Sequence, residues 1–543
     1  MLTIKTLQME SSASSDRQET HGESASSLVI AEGLDRGLNW AERHPLLIVA
    51  VLAIVYLLRL PAPLQKILWY DELHTYYIAQ APTIAKYVEL VSHTDLNPPL
   101  IYALARLSFD LFGVSSVAIR LPSIVAFFLA SLAMLVFLSK RTGWIWAAAA
   151  IALFWYSPSF YYATEARPYG ILLAFFCLTL LSRDTALSSA GPGTRRARGL
   201  AGIALGNTGM MLSHVLAPLS IMPFCVAELW RSFKSRNVDL PVWAALLLPL
   251  TWGLLTFSSA QKVGEAIYPP VFAASLGKVA LFFMQALFPV LPALFLFVPA
   301  SLVIAAWGRD ASRWQPIANT YEVPFLIASL LAPLLANVAL MYKRGPFFDR
   351  YCITTALVIY VWIVFFLARQ CRMNRVAGTL VLLVLIGLNV TREITALAFA
   401  VHPAPASGAR LDQVKTELPF VVGDSRTFLE MDHEESTAFL SRVYYLTDRP
   451  SALRYSQTDL MDGIRDAKQY FPVRANIDSY SDFAGKHQHF LVYGYIDRPE
   501  DWLLRKLIAE GAQVTKIGDF FTPYRDRTVY EVILARQANG GGR

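Results

Sequence analysis

Residues 117–138 read VAIRLPSIVAFFLASLAMLVFL and run directly into Ser139, Lys140 and Arg141. A helix of that length reaches about 33 Å at 1.5 Å per residue, enough to cross a hydrocarbon layer of about 30 Å. Its one charged residue, Arg120, stands at the start, and no polar stripe marks a water-facing side. The stretch therefore reads as a membrane span. Working outward, comparable runs lie near 46–60, 144–160, 168–182, 199–213, 215–230, 241–258, 276–306, 323–342, 351–368 and 377–397, about eleven spans in all. The expected fold class is an α-helical polytopic membrane protein.

Composition excludes the main alternatives. The chain has 543 residues, of which 55% are hydrophobic and 16% charged, against about 25% charged in soluble domains; mean hydropathy is +0.41. A soluble enzyme is excluded on these grounds. So is a nucleic-acid partner, because a charge-poor chain offers little solvated surface for a phosphate footprint, despite a net charge of +7. That excess is unevenly placed: net charge is −3 over residues 1–45, +12 over 46–399 and −2 over 400–543. Residues 1–45 read as a cytoplasmic tail, its first 28 positions rich in Ser, Glu and Gln with no apolar period.

The basic residues report orientation. Lys140 and Arg141, then Arg183, Arg195, Arg196 and Arg198, then Arg231, Lys234 and Arg236, then Arg309 and Arg313, then Arg369, Arg372 and Arg375 fall in alternate short loops, which are expected to be cytoplasmic. The long loop 61–116, the turn around Glu165 and Arg167, and the segments 259–275 and 343–350 then face outward. An odd number of spans puts residues 401–543 on the same side. The run 276–306 is read as one long helix, since splitting it would place the Arg369–Arg375 cluster outside. The four cysteines, Cys177, Cys225, Cys352 and Cys371, show neither a disulfide framework nor zinc spacing.

Chemistry-bearing residues gather on the outward side. The first loop carries Trp69-Tyr70-Asp71-Glu72-Leu73-His74-Thr75, then His93-Thr94-Asp95-Leu96-Asn97-Pro98-Pro99. Adjacent carboxylates on a helix diverge by about 100°, so one of Asp71 and Glu72 faces a site and the other a supporting partner. The competing reading is a solvated acidic pair on a surface helix. Glu165 and Arg167, in Glu165-Ala166-Arg167-Pro168-Tyr169-Gly170, are either a mutual ion pair or groups lining a substrate path. Arg120 and His214 have the same two readings. Lys343, Arg344 and Arg350 break the positive-inside trend, and either grip headgroups or hold a phosphate by charge-assisted hydrogen bonds.

Taken together, Trp-Tyr-Asp-Glu in the loop, Asn-Pro-Pro-Leu-Ile-Tyr before the second span, Ile-Arg-Leu-Pro-Ser opening it, Glu-Ala-Arg-Pro-Tyr after the third and Arg-Tyr at a late one resemble the GT-C membrane glycosyltransferases. The resemblance is to the bacterial branch related to protein O-mannosyltransferases, the aminoarabinose transferase of lipid A and the lipopolysaccharide galacturonosyltransferases, and covers roughly 46–400. It implies a polyprenyl-phosphate sugar as donor, a lipid, glycan or protein acceptor, and inversion at the anomeric carbon. It also implies a bacterial cytoplasmic membrane, with membrane lipids as surroundings. Asp71 corresponds to the catalytic carboxylate, with Glu72 its neighbour and Glu165 orienting the acceptor or a cation. Arg120, Arg167, Lys343, Arg344 and Arg350 are candidates for the donor phosphate, and His74, His93, Asn97, Tyr169 and His214 for substrate contacts. Asn97 stands where the aminoarabinose branch has Lys, which removes a cationic contact and weighs against that sugar. The resemblance leaves room for a divalent metal, since some relatives use one, but no ligand set of metal-site quality stands in the sequence.

Residues 401–543 read as an extracytoplasmic α/β domain. Strands are expected at 420–424, 489–493 and 528–534, and a helix at 502–509 stopped by Gly511. Asp432, His433, Glu434 and Glu435 read as a solvated acidic helix face in preference to a metal site. Two other functions share a polytopic architecture: a lipid or sugar transporter, expected to show repeated halves and midplane charges, and a non-catalytic glycolipid-binding protein.

Overall fold

Every expected span begins as a helix where the structure describes it. The computed structural model describes residues 36–95, 97–188, 193–251, 273–291, 295, 322–342, 345–401, 417–457, 468–496, 501–520 and 527–535. Residues 1–35 of the N-terminal tail, and 292–294 and 296–306 of the run 276–306, lie outside these residues. The membrane part opens with α1 (Pro45–Leu58), and the first loop folds into α2 (Tyr70–Ala79), α3 (Ile84–Thr94) and α4 (Leu100–Phe112). There follow α5 (Leu121–Thr142), α6 (Trp144–Tyr156), α7 (Tyr169–Leu187), α8 (Thr194–Ser213), α9 (Ala217–Ser235), α10 (Leu240–Leu247), α11 (Leu276–Leu287), α12 (Glu322–Tyr342), α13 (Ile353–Gln370) and α14 (Arg375–Val401).

Among the described residues, six segments are long and apolar enough to cross a membrane: Pro45–Leu64, Ala118–Thr142, Tyr169–Leu187, Glu322–Tyr342, Asp349–Gln370 and Arg375–Ala398. Three of the other expected spans fall short for identifiable reasons, and 241–258 and 276–306 run partly outside the described residues. α6 has 13 residues, about 20 Å, and is enclosed by its neighbours, with Ile145 through Trp155 all buried. α8 opens on Arg195, Arg196 and Arg198, and α9 carries Pro223, Glu228 and Arg231.

Close approach explains how a polar-bearing helix such as α8 packs. Gly199, Gly202, Gly206 and Gly209 face α7; a Cβ on Gly199 would lie 2.6 Å from the Ala186 amide nitrogen, and one on Gly206 2.9 Å from the Phe175 carbonyl oxygen. Small residues at this spacing let helix backbones meet. Gly206→Val is expected to force the pair apart and destabilise the protein by about 1–3 kcal/mol, the usual cost of overpacking. Thermal unfolding in detergent measures it; an unchanged midpoint would show that the α7–α8 seam is slack.

Among the described residues, the C-terminal domain has one sheet of six strands in the order β3-β2-β1-β4-β6-β5. β1 (Phe420–Val422) leads to α15 (Ser425–Glu434), β2 (Val443–Thr447) to α16 (Arg449–Ser456), β3 (Asn476–Ser479) to α17 (Tyr480–Lys486), and β4 (His489–Gly494) to α18 (Trp502–Ala509) before β5 (Gln513–Phe520) and β6 (Arg527–Ile533). The first four strands are parallel, and β6 and β5 add antiparallel. The strands at β2, β3 and β5 were not expected from the sequence. β5 is mostly exposed and β3 half-buried, so neither shows an apolar run. Gly511, at φ +79, ends α18 as expected.

One hydrophobic core joins the first loop to this domain: Leu73, Ile78, Ile101 and Phe109 belong to the same cluster as Phe428, Leu491 and Trp502. The loop and the C-terminal domain therefore lie on one face of the molecule. Asp432, expected to be solvated, is 1% exposed and accepts the Arg474 and Ala475 backbone N–H groups at 2.9 and 2.7 Å. The acidic cluster is partly a buried anchor, which corrects the solvated reading.

Candidate active site

α2 begins with unsatisfied amides, as every helix does, and Glu72 closes back on its own N-terminus by accepting the Trp69 N–H at 3.3 Å. The rest of the Glu72 carboxylate is saturated. Arg120 donates to it through Nε at 2.8 Å and Nη2 at 2.7 Å, and the Ala166 N–H donates at 2.8 Å. Arg120 spends its remaining hydrogens on the carbonyls of Lys66, at 2.9 Å, and Ile67, at 3.0 Å. Both side chains are 2% exposed. This bidentate pair ties the loop, the start of α5 and the turn before α7 together.

Asp71, one residue earlier, diverges as the helical step requires and meets Arg350, whose Nη2 lies 3.3 Å from its Oδ2. The guanidinium carbon sits 4.5 Å from the Phe348 ring centre and 5.7 Å from that of Trp69. Arg350 Nε is buried without a hydrogen-bond partner. Lys343 and Arg344 lie outside the described residues.

Glu165 and Arg167 do not pair with each other. Arg167 takes Asp95, with Nη1 at 2.5 Å and Nη2 at 3.3 Å, and also donates to the Asp71 carbonyl at 3.2 Å. Asn97 braces that Asp through its Nδ2 at 3.0 Å and its backbone N–H at 3.2 Å. Burial pushes the Asp95 pKa up, but the charge and hydrogen bonds of Arg167 outweigh it and hold the carboxyl well below its usual range. Asp95 was not singled out as a site residue; its place two positions before Asn97-Pro98-Pro99 was the available signal.

Glu165 is left alone. It is 3% exposed, its Oε2 has no hydrogen-bond partner, and its pKa is pushed up to about 8, chiefly by burial and then by the charges of Glu72 and Asp71. Arg350 and Arg167 are close enough to oppose that rise.

Two cavities are lined by chain neighbours of Asp71 and Arg350, though not by those two residues themselves. The first, about 290 Å³, is lined by residues including Lys66, Trp69, Glu72, Tyr161, Glu165 and Glu430 of the C-terminal domain. The second, about 380 Å³ and more apolar, is lined by residues including Tyr161, Tyr162, Phe282, Asp349, Ile353 and Arg392. Asp71 adjoins Glu72 of the first and Arg350 adjoins Asp349 of the second, and Tyr161 lines both. Lys66, whose ammonium lies 4.3 Å from the Tyr161 ring centre, was also missed by sequence reading.

The other candidates fall in different places. Tyr169 is buried between Tyr162 and His214, at 5.0 and 5.6 Å between ring centres. His214 accepts the Leu216 N–H through Nδ1, at 3.0 Å, and its pKa is pushed down to about 3, first by burial and then by Arg167 and Arg350. His74 packs edge-on against Phe471, and burial lowers its pKa against the pull of Asp95 and Asp71. His93 stacks on Tyr470, 5.5 Å away, and lines neither cavity. Among the described residues no group of three or more His, Cys, Asp or Glu could hold a metal ion.

Residues 96–256 match the family model described as dolichyl-phosphate-mannose-protein mannosyltransferase. Over those residues the chain is similar to that family. That segment contains Asn97, Arg120, Glu165, Arg167 and His214, whereas Asp71 and Arg350 fall on either side of it. A sequence search of curated proteins returns no match. Among solved structures, ArnT from Cupriavidus metallidurans bound to undecaprenyl phosphate aligns with a TM-score of 0.48 at 11% identity, over 92% of this chain and 99% of that one. AglB from Archaeoglobus fulgidus, in complex with an inhibitory peptide and a dolichol-phosphate, aligns at 0.43 and 11%, over 84% and 70%. The S. cerevisiae Pmt1-Pmt2 complex bound to the sugar donor aligns at 0.33 and 16%, over 42% and 36%.

Proposed function

We propose that the protein transfers a hexosyl or pentosyl group from a polyprenyl-phosphate donor to a hydroxyl of a lipid, glycan or protein acceptor. The observation that carries this reading is the Asp71–Arg350 pair, whose chain neighbours Glu72 and Asp349 line a polar cavity and a more apolar one. The apolar cavity suits the lipid end of the donor, with its phosphate on Arg350, where a buried Nε awaits an acceptor. In the resting site Arg350 neutralises Asp71; an arriving phosphate competes for the guanidinium and frees the carboxylate. Asp71 then takes the acceptor proton as the hydroxyl attacks the anomeric carbon, while Arg350 stabilises the departing lipid phosphate. A single displacement inverts that centre.

Arg120 is, in this reading, a positioning residue, because its hydrogens are already committed to Glu72 and loop carbonyls; Arg167 is anchored by Asp95 and the Asp71 carbonyl, with only its buried Nε left without a partner. Glu72 likewise orients the loop. A protonated Glu165 suits a hydrogen bond to a sugar or acceptor hydroxyl better than a cation.

The setting we propose is a bacterial cytoplasmic membrane with residues 401–543 on its outer side. The basic end of α5, where Arg141 pairs with Asp184 and Glu322, is opposite the end at Arg120, which supports that orientation.

The test incubates purified protein with a panel of polyprenyl-phosphate sugars and follows release of the lipid phosphate, with Asp71→Asn as control. Absence of turnover across the panel, or equal turnover by both proteins, would sink the reading. Glu165 adds a pH signature. Folding holds its proton more tightly than the unfolded chain does, so its contribution to stability is complete in acid and is lost as pH rises through about 8. Glu165→Gln keeps a neutral hydrogen-bonding group and is expected to retain kcat at pH 7 within about fivefold, a hydrogen-bond-sized change, while losing the alkaline fall near pH 8 that is expected of the wild type. A wild-type rate that instead climbs through pH 8, with an inactive Gln variant, would make the carboxylate the working form.

A further inference from the structure

α2 is held from two sides, and one of them is the C-terminal domain. The Tyr70 N–H, in its first turn, donates to Glu430 Oε1 at 2.9 Å. Glu430 is 3% exposed, belongs to α15 and lines the polar cavity. Its carboxylate thus meets one of the amides a helix start leaves unpaired, and also the positive end of the helix dipole. Farther along, His433 of α15 lies 4.8 Å from Tyr76 between ring centres, and Phe471 lies 5.0 Å from Tyr77. The root of α15 is fixed as well: Asp424 caps it through the Thr427 N–H at 3.1 Å and pairs with the buried Arg527 at 2.7 Å. A rigid path therefore runs from the sheet through α15 to the residue before Asp71.

We infer that Glu430 is a positioning residue: through it the C-terminal domain sets the first turn of α2, and hence the direction in which Asp71 enters the site. A freely swinging soluble domain would leave this turn to Glu72, Arg167 and Arg350. Capping needs an acceptor oxygen and does not need a charge, so the amide of Gln can replace the carboxylate where Ala cannot. The kinetic consequence rests on the proposed sugar transfer; the contact itself does not.

The experiment compares full-length wild type, Glu430→Gln and Glu430→Ala in detergent. Glu430→Ala is expected to lower kcat about tenfold, the scale of one lost helix cap, with KM for the polyprenyl-phosphate sugar unchanged and the thermal midpoint lowered only by the few degrees that one cap implies. Amide hydrogen exchange at Tyr70–Leu73 is expected to quicken in that variant alone. Glu430→Gln should match wild type in both readouts. Wild-type kcat in Glu430→Ala, equal damage by Gln and Ala, or a kcat loss that merely follows a lower midpoint would each overturn the inference. If wild type transfers none of the sugars tested, the proposed activity fails, and the exchange comparison decides on its own: faster exchange in Ala but not Gln upholds the positioning contact, and identical exchange removes it.

Discussion

Asp71→Asn is expected to lower kcat by about 10²–10⁴-fold, the usual worth of a general base. The amide keeps the shape of the side chain and removes its capacity to take a proton. Arg350, 3.3 Å from that carboxylate, loses its anionic neighbour in the variant, so the donor phosphate has less to compete with. KM for the lipid donor should therefore stay level or fall while kcat collapses, the pattern of an interaction used in the transition state. The substitution should leave folding intact, because Asp71 is partly exposed and its pairing with Arg350 is not bidentate. Steady-state kinetics over a range of donor concentrations provides the check. A raised KM with unchanged kcat would instead make Asp71 a donor-binding group.

Arg120→Ala is expected to produce the largest loss of stability. It strands the Glu72 carboxylate, 2% exposed, along with the Lys66 and Ile67 carbonyls that Arg120 now satisfies. Removing one partner of a buried pair typically costs about 3–5 kcal/mol, a large part of the roughly 5–15 kcal/mol that keeps a domain folded. Arg120→Lys should rescue little, since an ammonium cannot reproduce the two-pronged contact and reach the carbonyls together. Thermal unfolding of both variants beside Glu72→Gln measures the effect. If Arg120→Ala melts like wild type but binds the lipid donor poorly, Arg120 is a phosphate ligand, as the family resemblance implied.

These two residues illustrate how unevenly the site was legible. The divergence of Asp71 and Glu72 follows from the helical step alone. Which of them would be free and which buried does not, because it depends on Arg120 arriving 48 positions later in the chain. The Glu165–Arg167 turn was visible as a charged pair at a span boundary, yet the ion pair forms between Arg167 and Asp95, 72 positions apart. Local spacing made the mutual pair look natural; three-dimensional packing put a braced carboxylate closer. Span positions were read well, since hydropathy accumulates over a whole helix. Membrane-crossing character was read less well for α9, a continuous 19-residue helix that carries Pro223, Glu228 and Arg231.

By itself, the sequence determined that this is a polytopic helical membrane protein with its chemistry gathered on one side, because apolar run length and charge placement are properties of the chain alone. It also placed α18 and its stop at Gly511, where a positive φ favours glycine. Only the tertiary structure decided that the first loop shares a core with the C-terminal domain and that Glu430 reaches Tyr70 across 360 positions. The physical reason is that a hydrogen bond or ion pair depends on distances of about 3 Å between elements, and periodicity within each element carries no information about those distances.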